Sequence, residues 1–235
     1  MKKEENITKV ILLGDTGVGK SSLGNYIIGK DVFKHKATAS RVTSEIEGKI
    51  SEREKYKDIY VIDTPGFQDT NFEDEKFLEE LRTKFRKENA GIRAIFILIN
   101  FNEPRFAPII KKQIHLYCIL FMIQDFWEHV AIVFTKAYYH FPKEKFDDMK
   151  KELESDNGII IEMKDYIQQC AENINQNKKK DKNFKKIRIS NSFPAFYIDS
   201  DLNSSENENS RTKEEINKLI NWARKKKLFR FTIYK

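Results

Sequence analysis

The sequence predicts an α/β protein, a three-layer sandwich built on a mostly parallel six-stranded sheet with extra helices. Three observations lead there. Apolar, strand-like runs alternate with helix-period segments along most of the chain. The first run, Thr8 to Leu13, ends in a glycine-rich loop that opens directly into a helical pattern. Two later runs, Arg93 to Ile99 and His129 to Thr135, are nearly continuous in apolar residues, as strands covered on both faces are.

In chain order, a helix follows the glycine loop through Ile28, with Gly29 as its C-cap. Val42 to Ile50 and Asp58 to Ile62 read as two strands around the polar stretch Ser51 to Lys57, and Thr64 to Phe72 reads as a loop. Phe77, Leu78, Leu81 and Phe85 give helical spacing to Asp74 to Asn89. After the strand from Arg93, a helix is expected over about Ile109 to Ile123. Beyond the strand from His129, Pro142 opens a helix carrying Phe146, Met149 and Leu153, and another covers roughly Ile160 to Asn175. Gln176 to Asp181 reads as a polar loop and Phe193 to Ile198 as the last strand. Asp199 to Arg211 is rich in Ser, Asn and Glu and reads as a loop. Thr212 to Glu215 then forms a capping box for a helix with Ile216, Leu219, Ile220 and Ala223 on one face. No repeat or linker splits the 235 residues, so a single domain is expected, with its core over 7–198 and a C-terminal helix over about 212–227.

Hydrophobic residues make up 40% and charged residues 34%, a balance that excludes a disordered chain. The longest apolar runs, Ala94 to Ile99 and Tyr117 to Ile123, fall far short of the roughly 20 residues a membrane span needs. No signal peptide or lipidation motif is readable, so the expected setting is the cytoplasm, including the cytosolic face of a membrane. Cys118 and Cys170 lie outside any CxxC or Cys/His cluster and read as buried core thiols. The net charge of +7 collects late, in Lys178-Lys179-Lys180, Lys185-Lys186 and Arg224 to Lys227. No aromatic-basic motif accompanies it, so it reads as a solvated lysine-rich surface, with no specific nucleic-acid partner. Docking of the basic C-terminus on a membrane is the less favoured reading. Lysines at the end of a helix packed on the core are the preferred explanation.

Chemistry concentrates in four places. Gly14-Asp15-Thr16-Gly17-Val18-Gly19-Lys20-Ser21 matches GxxxxGK[ST] between a strand and a helix. Chance supplies that pattern in roughly one chain per hundred of this length, and the strand–loop–helix setting cuts the rate further. The glycines let the backbone curl so that amides point at phosphate oxygens, and the helix N-terminus adds its dipole. Lys20 is the expected cation for the β- and γ-phosphates, Ser21 a Mg²⁺ ligand, and Ser22 a further phosphate contact. Second, Asp63-Thr64-Pro65-Gly66 ends a buried apolar run. A carboxylate there can hold Mg²⁺ through water, and the Gly66 amide can meet a γ-phosphate. Alone the tetrapeptide reads as a turn. After a P-loop, with room between for a helix and two strands, it argues for a Ras-like GTPase. Third, Thr38 and Thr43 are candidates for a switch threonine that ligates Mg²⁺. Thr43, at the start of a predicted strand, is favoured over Thr38, the plain alternative being a strand threonine with no such role. Fourth, Thr135-Lys136-Ala137-Tyr138 stands at the end of a buried strand, where GTPases carry [NT]KxD.

As a set, Gly14 to Asn25, Ser40-Arg41-Val42-Thr43, Asp63 to Phe67 and Ile132 to Lys136 resemble the AIG/GIMAP GTPases, relatives of septins and chloroplast Toc GTPases. The resemblance covers about Ile7 to Ile198. It implies an AIG-type G domain that binds GTP or GDP with Mg²⁺ and forms dimers or oligomers across the nucleotide face, and it supports Thr43 as the switch residue. Arg105-Phe106 fits the start of a further family box, while Ala107-Pro108-Ile109 departs from it. Arg105 is the candidate arginine finger, with a surface-loop arginine as the bland alternative.

Two departures bear on function. Tyr138 stands where the base-reading aspartate is expected, leaving Asp199 or a backbone carbonyl to supply acceptors. Phe67 stands where a glutamine orients the attacking water, and Gln68 comes one position late. The expected function is a GTP-regulated switch with slow hydrolysis that self-associates. The alternatives are an ATPase or nucleotide-promiscuous NTPase, from Tyr138, and a nucleotide-bound scaffold that barely hydrolyses, from Phe67.

Overall fold

The computed structural model describes residues 7–33, 46–66, 79, 83, 92–102, 106, 108–120, 125–137, 142–180, 185–200 and 206–228. The first strand, β1 (Thr8–Gly14), is central. It pairs in parallel with β3 (Ile59–Asp63) on one side and β4 (Ile92–Asn100) on the other. β4 continues to β5 (Val130–Thr135), and β5 to β6 (Ala195–Ile198), both in parallel. β2 (Glu47–Ile50) closes the opposite edge, antiparallel to β3. The order β2-β3-β1-β4-β5-β6 is the mostly parallel six-stranded sheet expected from the sequence.

Side-chain alternation along β1 sorts the helices into layers. Val10 and Leu12 face α1 (Lys20–Ile28) and α5 (Glu206–Lys225) through Leu23, Ile27, Ile216, Leu219 and Ile220. Ile11 and Leu13 face the other side. There α2 (Pro108–Leu120), α3 (Lys143–Glu154) and α4 (Ile159–Asn177) cover the sheet with Ile114, Phe146, Met163 and Ile167. Both faces of the central strands are thereby dry, which explains why β1, β4 and β5 are apolar throughout. Phe134 stacks on Tyr197 with ring centroids 5.2 Å apart, and Phe101 and Phe146 meet the Tyr197 ring at its edges, fixing α3 over β5 and β6. Among the described residues, no helix is long and apolar enough to cross a membrane.

Several boundaries differ from expectation. The β2 edge strand begins at Glu47, and of its expected first half only Ile46 is described, outside the strand. His129 lies in a 3-10 turn, Phe126–His129, with its Nδ1 2.8 Å from the Arg93 carbonyl oxygen, so β5 starts one residue later. β6 starts at Ala195, because Pro194 has no amide for the ladder and offers only its carbonyl, to Ile132 N–H at 3.0 Å. α4 runs on through Gln176 and Asn177, where a loop was expected.

The larger correction is α5, which begins at Glu206 rather than near Thr212. The polar composition of 206–211 reads as loop, yet the helix continues through it. Thr212 is therefore not a cap. It is buried inside the helix, and its hydroxyl donates to the Asp199 carbonyl at 2.9 Å. Glu215 accepts from the Tyr197 amide at 3.3 Å. Of the helix expected over 74–89 only Glu79 and Thr83 are described, and both are helical.

Candidate functional site

The glycine loop sits where β1 passes into α1, at the C-terminal edge of the parallel strands, the edge at which open α/β sheets bind ligands. Gly14, Gly17 and Gly19 all have positive φ, at 148°, 77° and 99°. At Gly14 the conformation is enforced by space as well, since a Cβ would lie 2.7 Å from the Leu98 carbonyl oxygen of β4. Gly19 stands at the N-cap of α1 with no capping side chain. The amides of the first turn thus keep their donor capacity for an anion.

Lys20 folds back into the loop. Its ammonium donates to the carbonyl oxygens of Gly14 at 3.0 Å and Asp15 at 2.7 Å. The side chain is buried, and burial pushes its pKa down to about 8 although Asp63 and Asp15 pull the other way. Asp15 accepts from the Thr16 amide at 2.7 Å, tightening the turn. Ser21 Oγ donates to Asp63 Oδ2 at 2.7 Å across 42 residues of chain. Asp63 is fully buried at the end of β3, and desolvation raises its pKa against the opposing pull of the Ser21 bond, Lys20 and the Thr64 amide. Asp63 Oδ1 is buried with no hydrogen-bond partner among the described residues. Thr64 anchors the same turn through its hydroxyl, which donates to the Leu12 carbonyl at 2.6 Å. Gly66 then meets the glycine loop directly, because a Cβ there would fall 2.5 Å from the Thr16 amide nitrogen.

The Thr135-Lys136 pair closes the other side. Thr135 Oγ1 donates to the Val18 carbonyl at 2.6 Å. Lys136 adopts a left-handed φ of 56° and lays its ammonium 3.3 Å from the Gly17 carbonyl. Ala137 N–H reaches the Ile198 carbonyl at 3.3 Å, which brings this loop beside the end of β6. Asp199 follows there. Its side chain is buried, and its amide donates to Thr212 Oγ1 at 3.2 Å. One cluster therefore gathers Gly14 to Ser21, Asp63, Gly66, Thr135 and Lys136, with Ser22 half-buried behind it in α1. Thr38, Thr43, Phe67, Gln68, Arg105 and Tyr138 lie outside the described residues.

Two contributors went unread in the sequence. Asn25, buried in α1, donates to the Phe33 carbonyl and accepts from the Val32 and Phe33 amides, all within 3.1 Å. It fixes the chain as it leaves α1 toward residues 34–45, and a polar residue on an apolar helix face is the signal that could have found it. Tyr117 of α2 is fully buried beside the Gly14 backbone and within electrostatic reach of Asp15, and burial lifts its phenol well above its ordinary pKa. Nothing in its helical spacing distinguishes it from an ordinary core aromatic.

The AIG1 family profile matches residues 8–192, well over half of the chain. The chain belongs to the AIG1 family. The match takes in β1 through α4 together with every residue of the cluster, and Asp199 lies beyond it. Similar proteins include immune-associated nucleotide-binding protein 7 of Arabidopsis thaliana, 34% identical over 135 residues, which are 57% of this chain and 42% of that protein. Immune-associated nucleotide-binding protein 4 of the same plant is 33% identical over 131 residues, 56% of this chain and 40% of that protein. The match thus spans less than half the length of these curated relatives. Among solved structures, Toc33 from Arabidopsis thaliana in complex with Mg²⁺ and GMPPNP superposes with a TM-score of 0.65 at 18% identity, over 98% of this chain and 90% of that one. A structure of chloroplast translocon components, described in terms of the importance of dimerization for the GTPase activity of atToc33 and psToc159, gives 0.71 at 16% identity over 99% and 88%. At these identities the likeness establishes that the AIG1 chain has the P-loop GTPase fold.

Proposed function

We propose that this chain is a Mg²⁺-dependent guanine-nucleotide switch of low intrinsic activity that self-associates through its nucleotide face. The observation that carries the reading is the convergence of Ser21, Asp63, Lys20 and Gly66 on one loop of positive-φ glycines. Toc33, which shares the fold, is described with GDP or GMPPNP and Mg²⁺, and both ligands are guanine nucleotides.

The donor set fits the metal. A serine hydroxyl and a buried carboxylate face each other at 2.7 Å, and the second carboxylate oxygen lacks a partner among the described residues. These are hard oxygen ligands of the kind that hold Mg²⁺ together with waters and phosphate. Ser21 would hold the ion directly and Asp63 through water, with Thr43 as the third protein group. Once bound, the ion supplies positive charge against the β- and γ-phosphate oxygens. Lys20 carries the complementary protein charge, already pinned over the loop by two carbonyls. The amides of 15–21 receive the phosphates, Gly66 reports the γ-phosphate through its contact with Thr16, and Thr135 and Lys136 flank the base. Asp199, which follows β6 beside the Lys136 loop, or a backbone carbonyl is the candidate for base contact in place of Tyr138.

Phe67 leaves the attacking water without a side-chain orienter, so hydrolysis by the isolated chain is slow. A second copy can complete the site, with Arg105 as the candidate supplied in trans. Single-turnover GTP hydrolysis measured over a range of protein concentrations tests this. A rate that rises with concentration and is lost in Arg105→Ala is expected. A concentration-independent rate would contradict self-activation, and undetectable hydrolysis at every concentration would favour the scaffold reading. Tyr138 motivates one rival, an NTPase indifferent to the base, which nucleotide competition separates. The single-domain organisation and a cytoplasmic setting belong to the same proposal, and a peripheral membrane contact through 224–227 is the less favoured reading, since Arg224 is bound to Asp58.

A further inference from the structure

Helices α2 and α4 pack side by side on one face of the sheet, and each brings one cysteine into the same apolar core. Cys118 of α2 is fully buried, whereas Cys170 of α4 is 5% exposed. The Cys118 thiol lies close enough to donate a hydrogen bond to the Cys170 sulfur. His115, three residues before Cys118 and exposed at the surface, places Nδ1 3.8 Å from Cys170 Sγ. Tyr166, one turn before Cys170, adds its hydroxyl to the same sulfur. Its ring packs edge-on against Phe106 with centroids 5.6 Å apart, which holds it there.

Three side chains thus converge on one sulfur that sits at the rim of the core. The Cys118 bond, then His115 and Tyr166, draw the Cys170 thiol below its ordinary range against the cost of burial. Cys118 is pushed upward by the same bond and by its own desolvation. The pair is also asymmetric in position: Cys118 is fully buried, while Cys170, in contact with the exposed His115, keeps a 5% edge at the rim of the core. That division suits an attacking and a resolving sulfur.

We propose that Cys118 and Cys170 form a redox-modifiable pair that closes into a disulfide between α2 and α4, with Cys170 as the attacking sulfur, His115 as the partner of its thiolate and a hydroperoxide as the oxidant. The Cys170 thiolate attacks the distal oxygen of hydrogen peroxide, the O–O bond breaks, and Cys170 sulfenic acid and hydroxide result. The hydroxide takes the proton Cys170 gave up on ionising. The Cys118 sulfur then attacks the sulfenic sulfur, the S–O bond breaks, and the leaving oxygen departs as water with the Cys118 proton. In total, two thiols are oxidised to one disulfide and one peroxide is reduced to two waters. Cys118 adjoins Tyr117, which is buried against the Gly14 backbone, so the bridge fastens the helix that supports the phosphate loop to α4.

The test exposes the purified chain to hydrogen peroxide, quenches with an alkylating reagent and maps the peptides by mass spectrometry. The expected product is a monomer that has lost two hydrogen atoms, contains a linked Cys118–Cys170 peptide and is restored by dithiothreitol. Cys118→Ser should leave a Cys170 sulfenic acid that a dimedone probe captures. His115→Ala, a change at an exposed side chain, should slow bridge formation by roughly tenfold. Both cysteines remaining alkylatable, Cys170 gaining oxygen atoms in the native chain without a linked peptide, or a bridge between two chains would each overturn the proposal. An unchanged rate in His115→Ala would overturn the role given to that residue.

Discussion

Ser21 Oγ donates to Asp63 Oδ2 at 2.7 Å, joining the first turn of α1 to the end of β3. The bond closes the phosphate loop against the strand beside it and leaves Asp63 Oδ1 buried without a partner among the described residues. An arrangement of this kind is poised for a cation. Ser21→Ala removes one hydroxyl and leaves the carboxylate. The expected result is at least an about tenfold loss of Mg²⁺ affinity in the nucleotide complex, with nucleotide binding in EDTA little changed. Fluorescent nucleotide titrations with and without Mg²⁺ read both quantities.

Lys20 predicts a pH dependence. Its pKa is held near about 8 by burial, against Asp63 and Asp15. Phosphate oxygens favour the ammonium form, so binding raises that pKa, and nucleotide affinity takes up a proton where the free form has lost it. Affinity should be flat below about pH 8 and fall by up to about tenfold per pH unit above it. Isothermal titration across pH 6.5 to 9.5 checks the trend, and Lys20→Ala should abolish it along with most of the binding.

Gly66 predicts a steric effect. A methyl there would press on the Thr16 amide and Cα at 2.5 Å, backbone atoms that cannot rotate aside. Gly66→Ala should therefore displace the glycine loop and reduce GTP hydrolysis by roughly tenfold to a hundredfold, with the far-ultraviolet circular dichroism unchanged. A variant as active as the parent would show that this contact does not set the geometry.

Away from the site, Arg224 grips Asp58 through Nε at 2.9 Å and a second nitrogen at 2.5 Å, and also reaches the Lys55 carbonyl. It ties the end of α5 to the turn before β3. The pair is about one third exposed, so solvent screening limits its worth to about 1 kcal/mol despite the paired geometry. The Arg224 bond holds the Asp58 carboxyl below its ordinary value of 3.8. The stabilisation is therefore complete above 3.8 and lost as pH falls through the lower native value. Urea unfolding of Arg224→Ala and the parent should differ by that amount at neutral pH and converge in acid.

The central strands were readable because burial on both faces demands unbroken apolar runs, as in Val10 to Leu13 and Ile95 to Ile99. The phosphate loop was readable because its chemistry needs fixed residue types at fixed spacing. The start of α5 was not, since 206–211 is polar and its helical state rests on the continuation into Ile216, Leu219 and Ile220. The meeting of Cys118 with Cys170, and of Tyr117 with Gly14, follows from how α2 packs, and periodicity places a residue on a face without naming what it meets there.

The central claim is selective binding of a guanine nucleotide, and it rests on Lys136, Thr135 and the neighbourhood of Asp199 in a chain that carries Tyr138. Competition of unlabelled GTP and ATP against a labelled guanine nucleotide, in Mg²⁺, tests it most directly. GTP displacing the label at concentrations at least about a hundredfold below those of ATP is the predicted result, since a site built to hydrogen-bond one base rejects another strongly. Equal displacement by the two nucleotides would contradict the account.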